Sequence, residues 1–384
     1  MQNLKNQFLI NPNITYLNFG SFGACPKPIF EEYQKLQLEL EKEPVEFITK
    51  TGLKLLQQAK KSLGDYIHCD EEDLIFVTNP SYAVNIIAKS FNLNPGDEVL
   101  ATNIEYGACD KTWEYYCEKK GAKYIRTNIT FPITSKDDFV QEFVKGFTNK
   151  TKLIFISHIT SSTGLRLPVE EICQWANEKG VLVFVDGAHA PGQIPLNIKE
   201  LGASIYTGAC HKWMMTPKGC SFLYVQKNIQ DLFDPLIISW GYKALFPSNS
   251  KFQDYHQMQG TRDYSAFLTI PKSIEFMKAH NWWEVAIQCR KMVQSNAPRF
   301  IELLGTKSLC KINDDFLVQL FSIPIKHKHP EKLHDQLYSD FKIEIPVMRQ
   351  NDKVFIRYSI QAFNTQKDLD ILYSALTELK KDLI

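Results

Sequence analysis

The sequence predicts an α/β fold: a large unit with a mainly parallel central sheet flanked by helices, followed by a smaller α+β unit at the C-terminal end. Two observations carry this reading. From about residue 70 onward, short runs rich in Val, Ile and Phe alternate with longer segments of helical period, as successive βα units do. After Thr261 that alternation stops and a long helical stretch leads into two apolar runs and a last amphipathic helix. A chain of 384 residues has room for two such units. No internal repeat marks a solenoid or propeller.

Taken in order, the first segment, residues 1–20, holds the apolar run Tyr16-Leu17-Asn18-Phe19-Gly20, continued by Ser21, and is expected to pack between the two units. Residues 21–260 make the large unit, with strands expected at 74–78, 98–102, 123–127, 152–157 and 181–185, then 204–207 and 221–225. Helices fit between most of them. In the clearest case, 168–179, Pro168 suits a first-turn position and Gly180 a C-terminal cap. Residues 261–384 make the small unit: helical over 266–304, apolar at 316–323 and 354–359, and helical again over 365–381.

Composition narrows the partners. The formal net charge is +1 and no Lys/Arg cluster alternates with aromatics, so neither nucleic acid nor an anionic membrane surface is indicated. The first residues lack the apolar core of a secretory signal, and no stretch approaches the roughly 18 uninterrupted apolar residues of a membrane span. A cytoplasmic protein that handles small molecules is expected. The nine cysteines are scattered without the spacings of a zinc site or a disulfide framework, and read as reduced thiols. His327-Lys328-His329-Pro330 reads as a charged surface turn in preference to a metal site.

Ligands of open α/β sheets gather beyond the carboxyl ends of the strands. Asp186 follows the most apolar strand, residues 181–185, although a lone aspartate there is also an ordinary helix N-cap. Lys212, in Cys210-His211-Lys212-Trp213, follows another strand, although most lysines are solvated surface charges. Together, an acid after one strand and a lysine after a nearby one are what pyridoxal 5'-phosphate (PLP) chemistry requires. Asn79-Pro80-Ser81-Tyr82-Ala83 marks a strand giving way to a helix, which is an anion site by its N–H groups and dipole, or simply a turn and cap. Arg357 lies in the apolar run 354–359, where burial demands an anion: a carboxylate ligand held by the guanidinium fork, or a structural ion pair.

Two runs, Val185-Asp186-Gly187-Ala188-His189-Ala190-Pro191-Gly192 and His211-Lys212-Trp213-Met214-Met215-Thr216-Pro217-Lys218-Gly219, resemble the cofactor motifs of class V, fold-type I PLP-dependent aminotransferase-like enzymes. Within that class the chain is most similar to isopenicillin N epimerase-like proteins. The likeness extends from Tyr16-Leu17-Asn18 to Arg357-Tyr358-Ser359 and includes Gln259-Gly260-Thr261-Arg262-Asp263 and Ile343-Glu344-Ile345-Pro346-Val347. It implies that Lys212 carries PLP covalently and later moves the α-proton, while Asp186 keeps the pyridine nitrogen protonated. It implies further that Ser81, Tyr82 and His211 hold the phosphate, with Ala209 standing where relatives often have one more polar ligand. Thr261 matches a residue that reaches the phosphate from the neighbouring subunit, which implies a homodimer. Tyr106 takes the place of a ring stacked on the cofactor, with aromatic core packing as the alternative. His189 and Ser161 correspond to positions near the phenolic oxygen, Ser161 departing from the Asn frequent in relatives.

The implied reaction occurs at the α-carbon of an amino acid whose carboxylate Arg357 holds, of epimerase or C–S lyase type. A class V aminotransferase is the alternative. Cysteine desulfurases of this class use a cysteine shortly before the carboxylate-binding arginine; no cysteine follows Cys310, so that activity is disfavoured. A non-catalytic PLP-binding protein would leave Lys212, Asp186 and Arg357 without a common reason to be present.

Overall fold

The structure is a computed structural model and describes residues 4–383. A short strand, β1 (Thr15–Tyr16), precedes the seven strands of the central sheet: β2 (Leu74–Val77), β3 (Glu98–Thr102), β4 (Lys123–Thr127), β5 (Thr151–Ser157), β6 (Leu182–Gly187), β7 (Ile205–Ala209) and β8 (Ser221–Val225). Four more follow: β9 (Leu320–Ile325), β10 (Ile343–Glu344), β11 (Val347–Gln350) and β12 (Lys353–Ser359). The central order is β2-β8-β7-β6-β5-β3-β4. Only β8 runs against its neighbours; every other pairing is parallel.

Each expected strand of the large unit is present, and the apolar runs are continuous because the sheet is buried on both faces. Ile75, Val77, Val99, Leu153, Phe155 and Phe184 pack on one side, against the helices Pro80–Ser90 and Gly107–Lys120. Leu74, Phe76, Leu100, Ile154, Ile156, Val183 and Val185 face the other side, where the helices Gly52–Ile67 and Val169–Lys179 lie. Fully burying a side chain of that size stabilises by about 1.5–3 kcal/mol, so the sheet is the centre of stability and a rigid mount for whatever its strand ends carry.

The helix expected over 168–179 begins one residue later, with Pro168 at the N-cap; Gly180 closes it at φ 68°, its N–H donating to Ala176 and Asn177 carbonyls. The stretch expected to be helical over 266–304 divides into Ser265–Leu268, Ile270–Ala279 and Trp282–Leu304. Pro271, which lacks an N–H, falls in the first turn of the second piece, and Asn281 is left-handed (φ 48°) before the third. The helix Ile270–Ala279 packs on Gly52–Ile67.

A second sheet, β11-β12-β9, is antiparallel, and β1 pairs in parallel with β10. The segment after β1 lies against β12: the Leu17 carbonyl accepts from the Ser359 N–H, and the Gly20 N–H donates to Ser359 Oγ. Gly23, at φ 65°, then passes so close to the Lys212 turn that a Cβ there would stand 2.8 Å from the Lys212 carbonyl oxygen. Among the described residues no helix is long and apolar enough to cross a membrane, no acid, histidine or cysteine group could hold a metal, and all nine cysteines are free.

Candidate active site

Parallel strands bring their carboxyl ends to one edge. Ser157 on β5 pairs with Asp186 on β6, which pairs with Thr207 on β7. The loops beyond them enclose a cavity of about 640 Å³ lined by Ser81, Tyr106, Ser161, Asp186, His189, His211 and Lys212 among others. Seven of the ten residues singled out from sequence thus meet at one place.

Lys212 lies in a turn closed by the Met215 N–H donating to its carbonyl; Met215 is itself left-handed at φ 61°. Its Nζ stands 3.1 Å from His189 Nε2. Burial first, then the charge of Arg357, lowers the amine pKa to about 8, with Asp186 opposing. Asp186 is 3 % exposed; Oδ1 accepts from the Ala188 N–H at 3.0 Å and Oδ2 from the Cys109 thiol at 3.6 Å. Burial raises its pKa, against those hydrogen bonds and Lys212. Burial, reinforced by Lys212, keeps His189 well below the usual imidazole range and His211 down at about 4, so both rings are neutral.

At the other side the helix Pro80–Ser90 points its N-terminus at the cavity. Asn79 caps it, its side chain accepting from the Tyr82 N–H at 2.9 Å. That cap uses the Tyr82 N–H; Ser81 lines the cavity, as His211 does, while the Tyr82 hydroxyl is buried without a hydrogen-bond partner. His211 Nδ1 lies 3.0 Å from the Cys220 carbonyl. Thr261 is exposed and outside the cavity. Tyr106 is 44 % exposed over the cavity, at the start of the helix Gly107–Lys120, so it is not a core-packing residue.

Arg357, 1 % exposed on β12, reaches the rim by donating from Nη1 to the Ser161 carbonyl (2.5 Å) and from Nη2 to Ser21 Oγ (3.2 Å). Its Nε has no partner, and burial alone lowers its pKa, to about 10. Among the described residues no carboxylate pairs with it, so no structural ion pair accounts for its burial there.

Several residues of this site received no role of their own from the sequence. Ser21 and Phe22 form part of the wall, delivered by the N-terminal segment. Beneath the strand ends, Glu105 accepts from Thr102 Oγ1 and from the Ser157 N–H and hydroxyl, and burial raises its pKa to about 7. Cys109 and Trp213 act on Asp186 and His189 through contacts that only the assembled sheet creates.

Sheet order, strand-end acid and lysine define an open α/β enzyme of the fold-type I kind. The family model described as aminotransferase class-V matches residues 26–372, and the chain belongs to that family. It is similar to isopenicillin N epimerase of Amycolatopsis lactamdurans, at 29% identity over 99% of this chain and 98% of the relative. An L-cysteine desulfhydrase of Arabidopsis thaliana is 26% identical over 96% of this chain and 88% of its own. Among solved structures, a cysteine desulfurase from Thermococcus onnurineus NA1 shares the fold with a TM-score of 0.83 at 18% identity, over 98% of this chain and 97% of that one.

Proposed function

We propose that the chain is a PLP-dependent enzyme that removes the α-proton of an amino acid, leading to epimerisation or to loss of a β-substituent from a cysteine-like substrate. The observation that carries this reading is one cavity that gathers a lysine amine lowered to about pKa 8, a buried aspartate and, at its rim, an arginine with no acid of its own. The residues suit PLP: an amine for its aldehyde, a carboxylate for its ring nitrogen and a helix N-terminus for its phosphate. When bound, PLP supplies the aldehyde and a ring that takes up the electron pair freed at the α-carbon.

Lys212 Nζ would hold the cofactor through its aldehyde and, as a free amine, would move the α-proton. Asp186, fixed by the Ala188 N–H, favours a proton on the ring nitrogen. Arg357 holds the substrate carboxylate with Nε and the hydrogens that Ser161 and Ser21 leave free. Ser81, His211, Tyr82 and, from a second copy, Thr261 serve the phosphate; Tyr106 covers the ring, and His189 and Ser161 serve its phenolic oxygen. The homodimer, the division at residues 20 and 260, and a cytoplasmic setting suited to nine free thiols belong to the same reading. Among the described residues no cysteine lines the cavity, which speaks against a desulfurase.

A panel of free amino acids and S-substituted cysteines tests it, scored for pyruvate, inversion at the α-carbon and α-deuterium uptake. Pyruvate identifies the lyase and inversion without pyruvate the epimerase. Release of an oxo acid with conversion of the cofactor to its amine form would establish an aminotransferase, and no α-exchange with any member would overturn the proposal.

A further inference from the structure

We infer that Trp213 is a positioning residue that fixes the tautomer of His189, so that this imidazole presents an N–H and not a lone pair to Lys212. The inference rests on Lys212 being the cofactor lysine. An indole N–H is a donor only. Trp213 Nε1 lies 3.3 Å from His189 Nδ1, which must therefore accept. A neutral imidazole has one ring proton, so it sits on Nε2, the atom 3.1 Å from Lys212 Nζ.

The contact is rigid. Trp213 is fully buried, its ring 5.1 Å from that of Phe19, and the main chain of Gly192 runs against its carbonyl. The His189 main chain is held by Gln193 Nε2, which donates to its carbonyl at 2.7 Å. Burial opposes protonation of His189 first, and the charged or titratable groups that act on it, Lys212, Arg357 and His211, oppose it too, so the ring stays neutral.

A donor at Nε2 needs a lone pair opposite. The neutral Lys212 amine offers one; the ammonium would meet it donor to donor. Trp213 thus selects the form of Lys212 that can add to an aldehyde carbon, with water leaving as the bond to nitrogen completes. Without the indole, His189 can move its proton to Nδ1 and accept from the Lys212 ammonium at Nε2, which stabilises the unreactive cation.

The test follows covalent attachment of PLP to the full-length protein stripped of cofactor, read as growth of a visible, borohydride-sensitive band over a range of pH. In the wild type the rate rises with pH and levels off above about 8. In Trp213→Phe the profile moves to higher pH, with capture near neutrality slowed about tenfold for every pH unit that the profile moves, and rates converging in alkali. A lowering equal at all pH values, or no change, would overturn the inference. Histidine ¹⁵N spectra of the wild type, with His189 assigned by difference from His189→Asn, give a second arm that holds even if Trp213→Phe does not fold. Protonated Nε2 is expected, and protonated Nδ1 would refute the assignment. Failure of the wild type to attach PLP would instead refute the reading of Lys212 and leave the tautomer result standing.

Discussion

Two cavities in this chain differ in what they do to charge. The larger, about 1120 Å³, is walled by Tyr66, Met277, Trp282 and Trp283, and its carboxylates, such as Asp65 and Glu275, stand exposed to water with His68 and Lys278. The smaller, about 640 Å³, holds Asp186, His189 and His211 buried, with Lys212 half-buried among them. In water a pair of charges at contact distance interacts by only about 1 kcal/mol, and solvation holds each group to its ordinary behaviour. Desolvation at the strand ends pushes the aspartate up and the lysine down. On the proposed reading, chemistry follows buried titratable groups and not volume.

The sharpest way to break this comparison is Lys212→Ala. Removing the amine that stands beside His189 and Asp186 should lower deuterium uptake at the substrate α-carbon by more than about 10³-fold. A variant that still carried borohydride-reducible PLP would end the assignment of Lys212. Asp186→Ala comes next, with an expected loss of about 10²–10⁴-fold in the same exchange while part of the cofactor is retained. Undiminished exchange would show that the buried acid does not serve the ring.

Arg357→Met sharpens the contrast within the smaller cavity. A guanidinium that binds the substrate carboxylate contributes about 1.5–3 kcal/mol per charged hydrogen bond, so KM should rise by roughly 10- to 100-fold while PLP retention is unchanged. Stability tells the same story by its sign. Breaking a buried ion pair costs about 3–5 kcal/mol, whereas exchanging a buried cation with no acid partner for an apolar chain should leave the urea midpoint unchanged or higher. A large drop in midpoint with KM unaltered would make Arg357 structural.

Much of this was legible in the sequence, for physical reasons that vary along the chain. The central strands were readable because burial on both faces makes runs such as Val183-Phe184-Val185 continuously apolar. Asp186 and Lys212 stood out as a pair, an acid at the end of such a run and a lysine in the turn after a nearby strand, and the structure brings both to one cavity. The break between Ile270–Ala279 and Trp282–Leu304 was not, since a helical period survives two short interruptions. Glu105 on Ser157, Cys109 on Asp186 and Trp213 on His189 join residues 52, 77 and 24 positions apart, and only strand order and loop packing bring them together. Thr261, exposed in one chain, has a role only if a second copy supplies its site, and that stays a proposal.

The smallest expected effect belongs to the larger cavity and is the control on which the comparison depends. Glu275 is among the residues lining it and meets only Lys272, at 3.0 Å, with their side chains 68% and 35% exposed. An exposed pair three residues apart on one helix is screened by water and offset by the entropy of holding two long side chains, so its loss is worth about 0.3–0.5 kcal/mol at most. Glu275→Gln should therefore move the urea midpoint barely beyond error and leave α-deuterium uptake, KM and the visible cofactor band as they are. The prediction has force because volume alone would point to the larger cavity, where a carboxylate lining the same wall as Trp282 and Trp283 could be mistaken for a catalytic acid. If Glu275→Gln lowered α-exchange as Asp186→Ala is expected to, exposure would not be the discriminating property. The larger cavity would then have to be part of the catalytic apparatus.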